Sequence, residues 1–377
     1  MDSSDPFGGK YDRDPTPEEE AEFREFESKS KSSTGSSRPR NPHYAQSPES
    51  ESERSDSFAN GEQEPEKPWA QFLDEGACSS LDLSSMKIVP REAIFDDWCL
   101  VGDLGFIFAP RGLGKTWISM HLAHGATTKT DVGPWKSHKQ LKGLYLDGEM
   151  PPQDIQSRDR LLGQPTENLI YINHQILFDR TGKIMNLANL NFQQGILEYC
   201  STRKIELLCL DNLSALASGI DENKSIDWEK SQPWLLQLRR VPITVLFIHH
   251  AGRNNEMRGS SKREDPASWI MRLDSPSDFN ENAGAHFITR FTKWRCEKQP
   301  KTYEWIYTPN GDEVCIEVKE ASPLDIFRSH VENGLDTCTM ISDEMAISAG
   351  YVSRLAKQAE RQGWLEIKHR KYVIKCV

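Results

Sequence analysis

The chain has 377 residues, 46 Lys and Arg against 57 Asp and Glu, a formal net charge of −11 and eight cysteines. That length suits one large domain or two modest ones, and cysteines with no C-x-x-C pair and no zinc-ligand spacing argue against a disulfide scaffold or zinc finger. Reduced core thiols, an acidic N-terminus without an apolar signal segment, and no apolar run near the roughly 20 residues of a membrane span lead us to expect a soluble, cytoplasmic protein with no membrane partner.

Residues 1–67 hold 17 acidic and 9 basic side chains, a net of −8, which leaves 40 acidic against 37 basic in the rest. Overall acidity therefore does not count against nucleic acid as a partner. This Ser-, Pro- and Glu-rich stretch is too poor in apolar residues to offset its ordering entropy, and we expect a disordered tail. Within it, Pro17 to Phe26 reads as a solvated charge run, with one short helix as the alternative.

From Trp69 the chain turns apolar. Leu104 to Phe108 reads as a buried strand, Ala109-Pro110-Arg111-Gly112-Leu113-Gly114-Lys115-Thr116 as a glycine-rich turn, and the residues after it as a helix. Strand, turn and helix in that order point successive amides and a helix N-terminus at one anion, as a phosphate-binding loop requires. Ala109 fills the first glycine place. Lys115 is expected to reach the β- and γ-phosphates of a nucleotide and Thr116 to place its hydroxyl on Mg²⁺.

A second strand, Gly143 to Asp147, delivers Glu149 at its C-terminal edge, where ligands of open α/β sheets bind. Ile155 to Leu162 looks helical and carries Arg158 and Arg160. Leu169 to Asn173 is a third strand, and a helix from about Phe192 to Tyr199 follows. Ile205 to Leu210 is an apolar run closed by Asp211, as when a buried parallel strand delivers one carboxylate to the metal beside the phosphates. Ser225 to Arg240 should be helical and broken at Pro233, with Trp228, Trp234, Leu235 and Leu238 on its buried side. The strand Ile243 to Ile248 ends in His249 and His250, either of which could contact the γ-phosphate and report its loss. The loop behind them, with Arg258, Lys262 and Arg263, is basic and suits nucleic-acid phosphate or equally a plain solvated loop.

Ala285 to Arg295 alternates like a strand and sets Lys293 and Arg295 on one face. Tyr303 to Val318 forms a hairpin around Asn310-Gly311. From about Pro323 the pattern becomes helical: Leu324 to Val331, Thr339 to Ala346, a tight turn at Ser348-Ala349-Gly350, and Tyr351 to Gln362. Two short strands around the basic turn Lys368-His369-Arg370-Lys371 follow. Three helices and a two-stranded wing make a winged helix-turn-helix. Seven basic and two acidic side chains from Tyr351 onward point this end at DNA, through Arg354, Lys357, Arg361, Lys368, Arg370 and Lys371, with a protein-docking winged helix as the alternative.

These stretches together resemble the RepA-type ATPases of plasmids and other mobile elements, which are RecA-like, DnaB-related hexameric helicases. The resemblance rests on Gly102 to Trp117, Asp147-Gly148-Glu149, Leu210 to Leu213, Phe247 to Arg253, Arg258 to Asp265 and Lys293-Trp294-Arg295, and covers roughly residues 88–300. It implies an α/β fold, a RecA-like P-loop core with a mostly parallel sheet over residues 68–320, to which we add the winged helix over 321–377. It implies ATP as the nucleotide. Glu149 would be the base that polarises water, Asp211 would bind Mg²⁺ through water, and His249 or His250 would be the γ-phosphate sensor. Lys293 and Arg295 would reach the neighbouring subunit's site as an arginine finger, with Arg160 a further candidate. A homo-oligomer, hexameric in the family's manner, would pass single-stranded DNA through its pore and touch duplex DNA through the winged helix. The expected activity is thus a DNA-dependent ATPase of the replicative-helicase type, with an ATP-switched DNA-binding regulator or a non-enzymatic loading adaptor as alternatives.

Overall fold

The computed structural model describes residues 68–217, 232–251, 265–276, 283–345 and 347–375. The expected tail, Trp228, and the loop residues Arg258, Lys262 and Arg263 lie outside them. The chain divides into two compact units, one ending at Val89 and one beginning at Pro90. The first contributes α1 (Trp69–Gly76) and α2 (Ser80–Ser85). A capping box fixes the start of α2: the Ser79 hydroxyl accepts the Asp82 amide, and Asp82 Oδ2 accepts the Ser79 amide, each at 3.1 Å.

The second unit opens with a small hairpin, β1 (Ala93–Phe95) and β2 (Cys99–Leu100). Strands β3 (Leu104–Ala109), β4 (Gly143–Asp147), β5 (Leu169–Asn173), β6 (Leu207–Asp211), β7 (Thr244–His250) and β8 (Trp269–Asp274) then run parallel. Antiparallel β9 (Ala285–Lys293), β10 (Tyr303–Asn310) and β11 (Glu313–Glu320) extend the sheet beside β8. Among the described residues the order is β11-β10-β9-β8-β3-β7-β6-β4-β5. Strand β7 therefore stands between the strand that leads into the glycine-rich turn and the strand that ends in Asp211.

Successive strand side chains point to opposite faces, so each central strand feeds two cores. Ile107, Tyr145 and Ile248 pack with α3 (Lys115–Thr128) and with the aromatic group around Trp98, Trp135 and Trp269. Phe106, Leu208 and Phe247 pack on the other face with α6 (Leu190–Arg203) and α8 (Gln232–Arg240). In chain order α4 (Pro152–Leu162) and α5 (His174–Thr181) fall between α3 and α6, and α7 (Leu213–Leu216) between α6 and α8. This is the mostly parallel α/β sheet that the sequence leads one to expect. Trp234, Leu235 and Leu238 of α8 are buried as expected.

Beyond the sheet, α9 (Pro323–Glu332), α10 (Cys338–Met345) and α11 (Ala349–Arg361) enclose a core of their own around Phe327, Ile341, Val352 and Leu355. The turn expected at Ser348-Ala349-Gly350 is instead the start of α11, because the Ser348 hydroxyl accepts the Tyr351 amide and caps the helix. Strands β12 (Leu365–Lys368) and β13 (Lys371–Ile374) pair antiparallel, and the two-residue link between them is His369-Arg370 with φ of 50° and 66°. Both residues sit in the left-handed region that a tight primed hairpin turn needs. Lys368 and Lys371 are thus paired strand residues, not turn residues.

These helices meet the sheet through buried charge. Asp274, at the end of β8, receives Arg272 Nε at 2.6 Å and Arg290 Nε at 2.8 Å, while Arg272 also pairs with Glu344 of α10. Burial works to raise the Asp274 carboxyl, but Arg290 and Arg272 outweigh it and hold it at about 2. The Ser329 hydroxyl of α9 donates to the Ser275 carbonyl.

Candidate functional site

The C-terminal edge of the parallel strands surrounds a cavity of about 390 Å³. One wall is the turn after β3. Gly112 and Gly114 adopt φ of +78° and +95°, and a Cβ on Gly114 would stand 2.6 Å from Phe287. Only glycine fits there without strain or displacement. Arg111, Gly112, Gly114, Lys115 and Thr116 line the cavity. Ala109 and Pro110 contribute from behind, since Lys115 Nζ donates to their carbonyls at 3.1 and 2.7 Å. Leu113 is buried beneath the turn. Burial lowers the Lys115 ammonium to about 8, against the opposing pull of Asp211 and Glu149. An ammonium parked on two carbonyls is a group that a phosphate could draw forward.

The facing wall is acidic. Asp211 and Asp147 close β6 and β4 and are register neighbours across the two strands. Asp211 is buried, which raises its carboxyl, while hydrogen bonds from Tyr145 and Thr116 and the charge of Lys115 act the other way. Tyr145 donates to Asp211 Oδ2 at 2.6 Å, and Ser119 lies 2.8 Å from the same phenol. Burial pushes Asp147 up to about 7, with the charge of Asp211 adding to it.

Above them Glu149 takes a hydrogen bond from Asn212 Nδ2, which also lies 3.2 Å from His250 Nε2, and that nitrogen is 3.8 Å from Glu149. The two histidines are thereby distinguished. His250 lines the cavity, whereas His249 is fully buried inside β7. Arg158 also lines the cavity, its guanidinium 5.3 Å from the Trp117 ring centroid and 3.2 Å from Met150 Sδ. Arg160 is exposed. Ile155 is the buried residue of α4, and the helical period carries its side of the helix to Arg158 and away from Arg160.

Lys293 and Arg295 stand elsewhere. Lys293 pairs with Ile270 near the start of β8, while Arg272 further along β8 pairs with Phe108. Both cations are therefore at the sheet edge opposite this chain's own glycine-rich turn, where Lys293 Nζ and Arg295 donate to the Asp265 carbonyl at 3.2 and 3.4 Å. The expectation that they share a strand face needs correcting: β9 ends at Lys293 and Arg295 lies beyond it. Of the remaining cations, Arg354, Lys357 and Arg361 are exposed on α11, and Lys368, Arg370 and Lys371 on the hairpin. Lys368 pairs with Glu366 at 2.9 Å and Lys371 with Asp336 at 2.6 Å.

Among the described residues no group of three or more His, Cys, Asp or Glu side chains could hold a metal ion alone. The donor set present is Thr116 and Asp211, already hydrogen-bonded to each other. That set fits a hard cation that takes most of its ligands from phosphate and water, such as Mg²⁺. Sequence reasoning gave no role to Asp147, Asn212 or Trp117. Asn212 follows Asp211 at a strand's C-terminal edge, which was the available signal for it.

Residues 71–256 match the model of a family described as AAA domain. No curated protein matches the sequence. Among solved structures, the chain is similar to the flagellar accessory protein FlaH from Methanocaldococcus jannaschii, at 13% identity and a TM-score of 0.39 over 58% of this chain and 91% of that one. It is also similar to the KaiC-like protein PH0186 from Pyrococcus horikoshii OT3, at 13% identity and a TM-score of 0.44 over 61% of this chain and 99% of that one.

Proposed function

We propose that this chain, whose parallel sheet, glycine-rich loop and family match support a RecA-like P-loop ATPase core, is a DNA-dependent ATPase acting as a replicative helicase of a plasmid, phage or integrated element. The observation that carries the hydrolytic reading is the Glu149, Asn212 and His250 cluster, set across one cavity from Lys115 and Thr116. ATP is the substrate. Lys115 leaves the Ala109 and Pro110 carbonyls for its phosphates, and the amides of the turn receive them. Thr116 and Asp211 would hold Mg²⁺, which when bound would neutralise phosphate charge. Glu149 polarises the attacking water, and electrostatic stabilisation supplies most of the rate. His250, hydrogen-bonded into the same cluster, couples loss of the terminal phosphate to β7 and the loop behind it.

Lys293 and Arg295 lie too far across the sheet to serve this chain's own site, which supports a finger given to a neighbouring copy and a ring, by resemblance a hexamer. Arg258, Lys262 and Arg263 would track single-stranded DNA in its pore. Residues 321–377 would act as a winged helix on duplex DNA through α11 and the hairpin. On this reading the protein works in the cytoplasm, where such DNA replicates. No helix among the described residues is long and apolar enough to cross a membrane. The exposed basic face of α11 favours one second reading, an ATP-switched DNA-binding regulator.

Steady-state ATP hydrolysis with and without single-stranded DNA, across a protein concentration series and beside Lys115→Ala, tests the proposal. Cooperative, DNA-stimulated hydrolysis followed by strand displacement supports the helicase. Hydrolysis indifferent to single-stranded DNA sinks it and leaves the regulator.

A further inference from the structure

At the acidic wall of the cavity, Asp147 and, beside it, Asn173 are two buried side chains built around the segment that carries Glu149. Asp147 closes β4 and Asn173 closes β5, and the parallel register sets them side by side. They are 1% and 3% exposed. Asn173 Nδ2 donates to Asp147 Oδ2 at 2.8 Å and to the Met150 carbonyl at 2.7 Å. The same Asp147 oxygen accepts the Met150 amide at 3.0 Å, and the carboxylate also accepts the Glu149 amide. The other end of Asn173 is engaged as well. Its Oδ1 accepts the amides of Gln175 and Ile176 at 3.1 and 3.2 Å and so caps α5. The Gly148 amide donates to the Asp211 carbonyl at 2.7 Å. Amides of three successive residues, Gly148 to Met150, are thus held by groups at neighbouring strand ends.

Burying a carboxylate and a carboxamide together is costly unless every polar atom is satisfied. Here they are satisfied by the backbone on either side of Glu149. The Glu149 side chain is itself 62% exposed, so little packing fixes its direction. Beyond the hydrogen bond from Asn212, its placement falls to its backbone.

We propose that Asp147 and Asn173 are positioning residues, a buried clamp across two strand ends that fixes Gly148 to Met150 and so sets Glu149 before the terminal phosphate. This rests on the hydrolytic reading of Glu149 given above. The clamp acts through geometry, and the charge of Asp147 is not what the reaction uses.

The test compares full-length Asn173→Ser, Asp147→Ala and Asp147→Asn with wild type in ATP hydrolysis, ATP binding and thermal unfolding. Ser retains the cap on α5 but loses both donations to the clamp. Asp147→Asn keeps an acceptor where Asn173 and Met150 reach it, and Asp147→Ala removes it. Misplacement by about 1 Å costs on the order of a hundredfold, so Asn173→Ser and Asp147→Ala should lower kcat by about tenfold to a hundredfold. KM and ATP affinity should stay within about threefold, the signature of an interaction made only in the transition state. Asp147→Asn should restore most of the rate. Asn173→Ser placed on Glu149→Gln should add little further loss, since both act through one group. The clamp is overturned if Asp147→Asn falls as far as Asp147→Ala, which would make the charge itself the active feature. It is equally overturned if Asn173→Ser keeps full kcat, or if rate, affinity and melting temperature fall together. A wild-type enzyme without hydrolysis overturns the function and the clamp together, whereas an active wild type with unaffected variants overturns the clamp alone.

Discussion

Alanine at Gly112 and at Gly114 asks the glycine-rich turn two different questions. Both residues have left-handed backbone, φ +78° and +95°, so a Cβ at either costs about 1–2 kcal/mol of local strain. A methyl on Gly112 meets nothing within 4 Å, whereas one on Gly114 would stand 2.6 and 2.7 Å from the Phe287 ring and 2.9 Å from Ala285 Cβ. Phe287 cannot turn aside, because it is fully buried and stacked on Trp305 and Tyr307. Overpacking of this kind adds about 1–3 kcal/mol. Gly112→Ala should therefore lose about 1–2 kcal/mol and Gly114→Ala about 2–5 kcal/mol, measured as unfolding midpoints in denaturant at unchanged slope. The strain at Gly114 is relieved only by moving the loop off β9, so its ATP affinity in calorimetry should fall further than that of Gly112→Ala. Equal losses in both variants would refute the idea that β9 presses on the loop.

His250→Ala should lower kcat by about a hundredfold with little change in melting temperature, because it removes a polar group at the reacting end of the site. His249→Ala should instead cost about 2 kcal/mol or more of stability through the cavity it leaves in β7, and unfolding beside steady-state kinetics separates the two. The Asp274 carboxyl lies at about 2 in the fold against an ordinary 3.8, so its stabilisation is complete above 3.8 and is lost as pH falls through the folded value. That amounts to about 2–3 kcal/mol, and acid unfolding of Asp274→Asn should lack this component. Arg354→Ala with Lys357→Ala should weaken duplex DNA binding and reduce the salt slope by roughly one unit for each phosphate no longer neutralised, while basal ATP hydrolysis is retained. Binding across a salt series checks this, and an unchanged slope would remove α11 from the interface.

What could be read from sequence follows a physical line. Strands β3, β4, β6 and β7 are buried on both faces, so each is a largely apolar run, and β4, β6 and β7 end in polar groups at one edge of the sheet. Local chemistry is enough to find such strands. Strand β8 was not legible, because Arg272 and Asp274 interrupt it as a loop would. Those charges pair with each other and are completed inside by partners far along the chain, Arg290 and Glu344. The same limit governs the site. Period-two alternation tells us that His249 and His250 face opposite ways, but only the place of β7 between β3 and β6 decides which one faces the cavity. Asp147 and Asn173 are 26 residues apart and become a pair only because β5 lies beside β4 in register. A residue whose role is carried by its own type and its immediate neighbours, such as Lys115, can be assigned from the chain alone. A residue whose role is to hold another in place, such as Asn173, becomes visible only when the sheet has put its partners beside it.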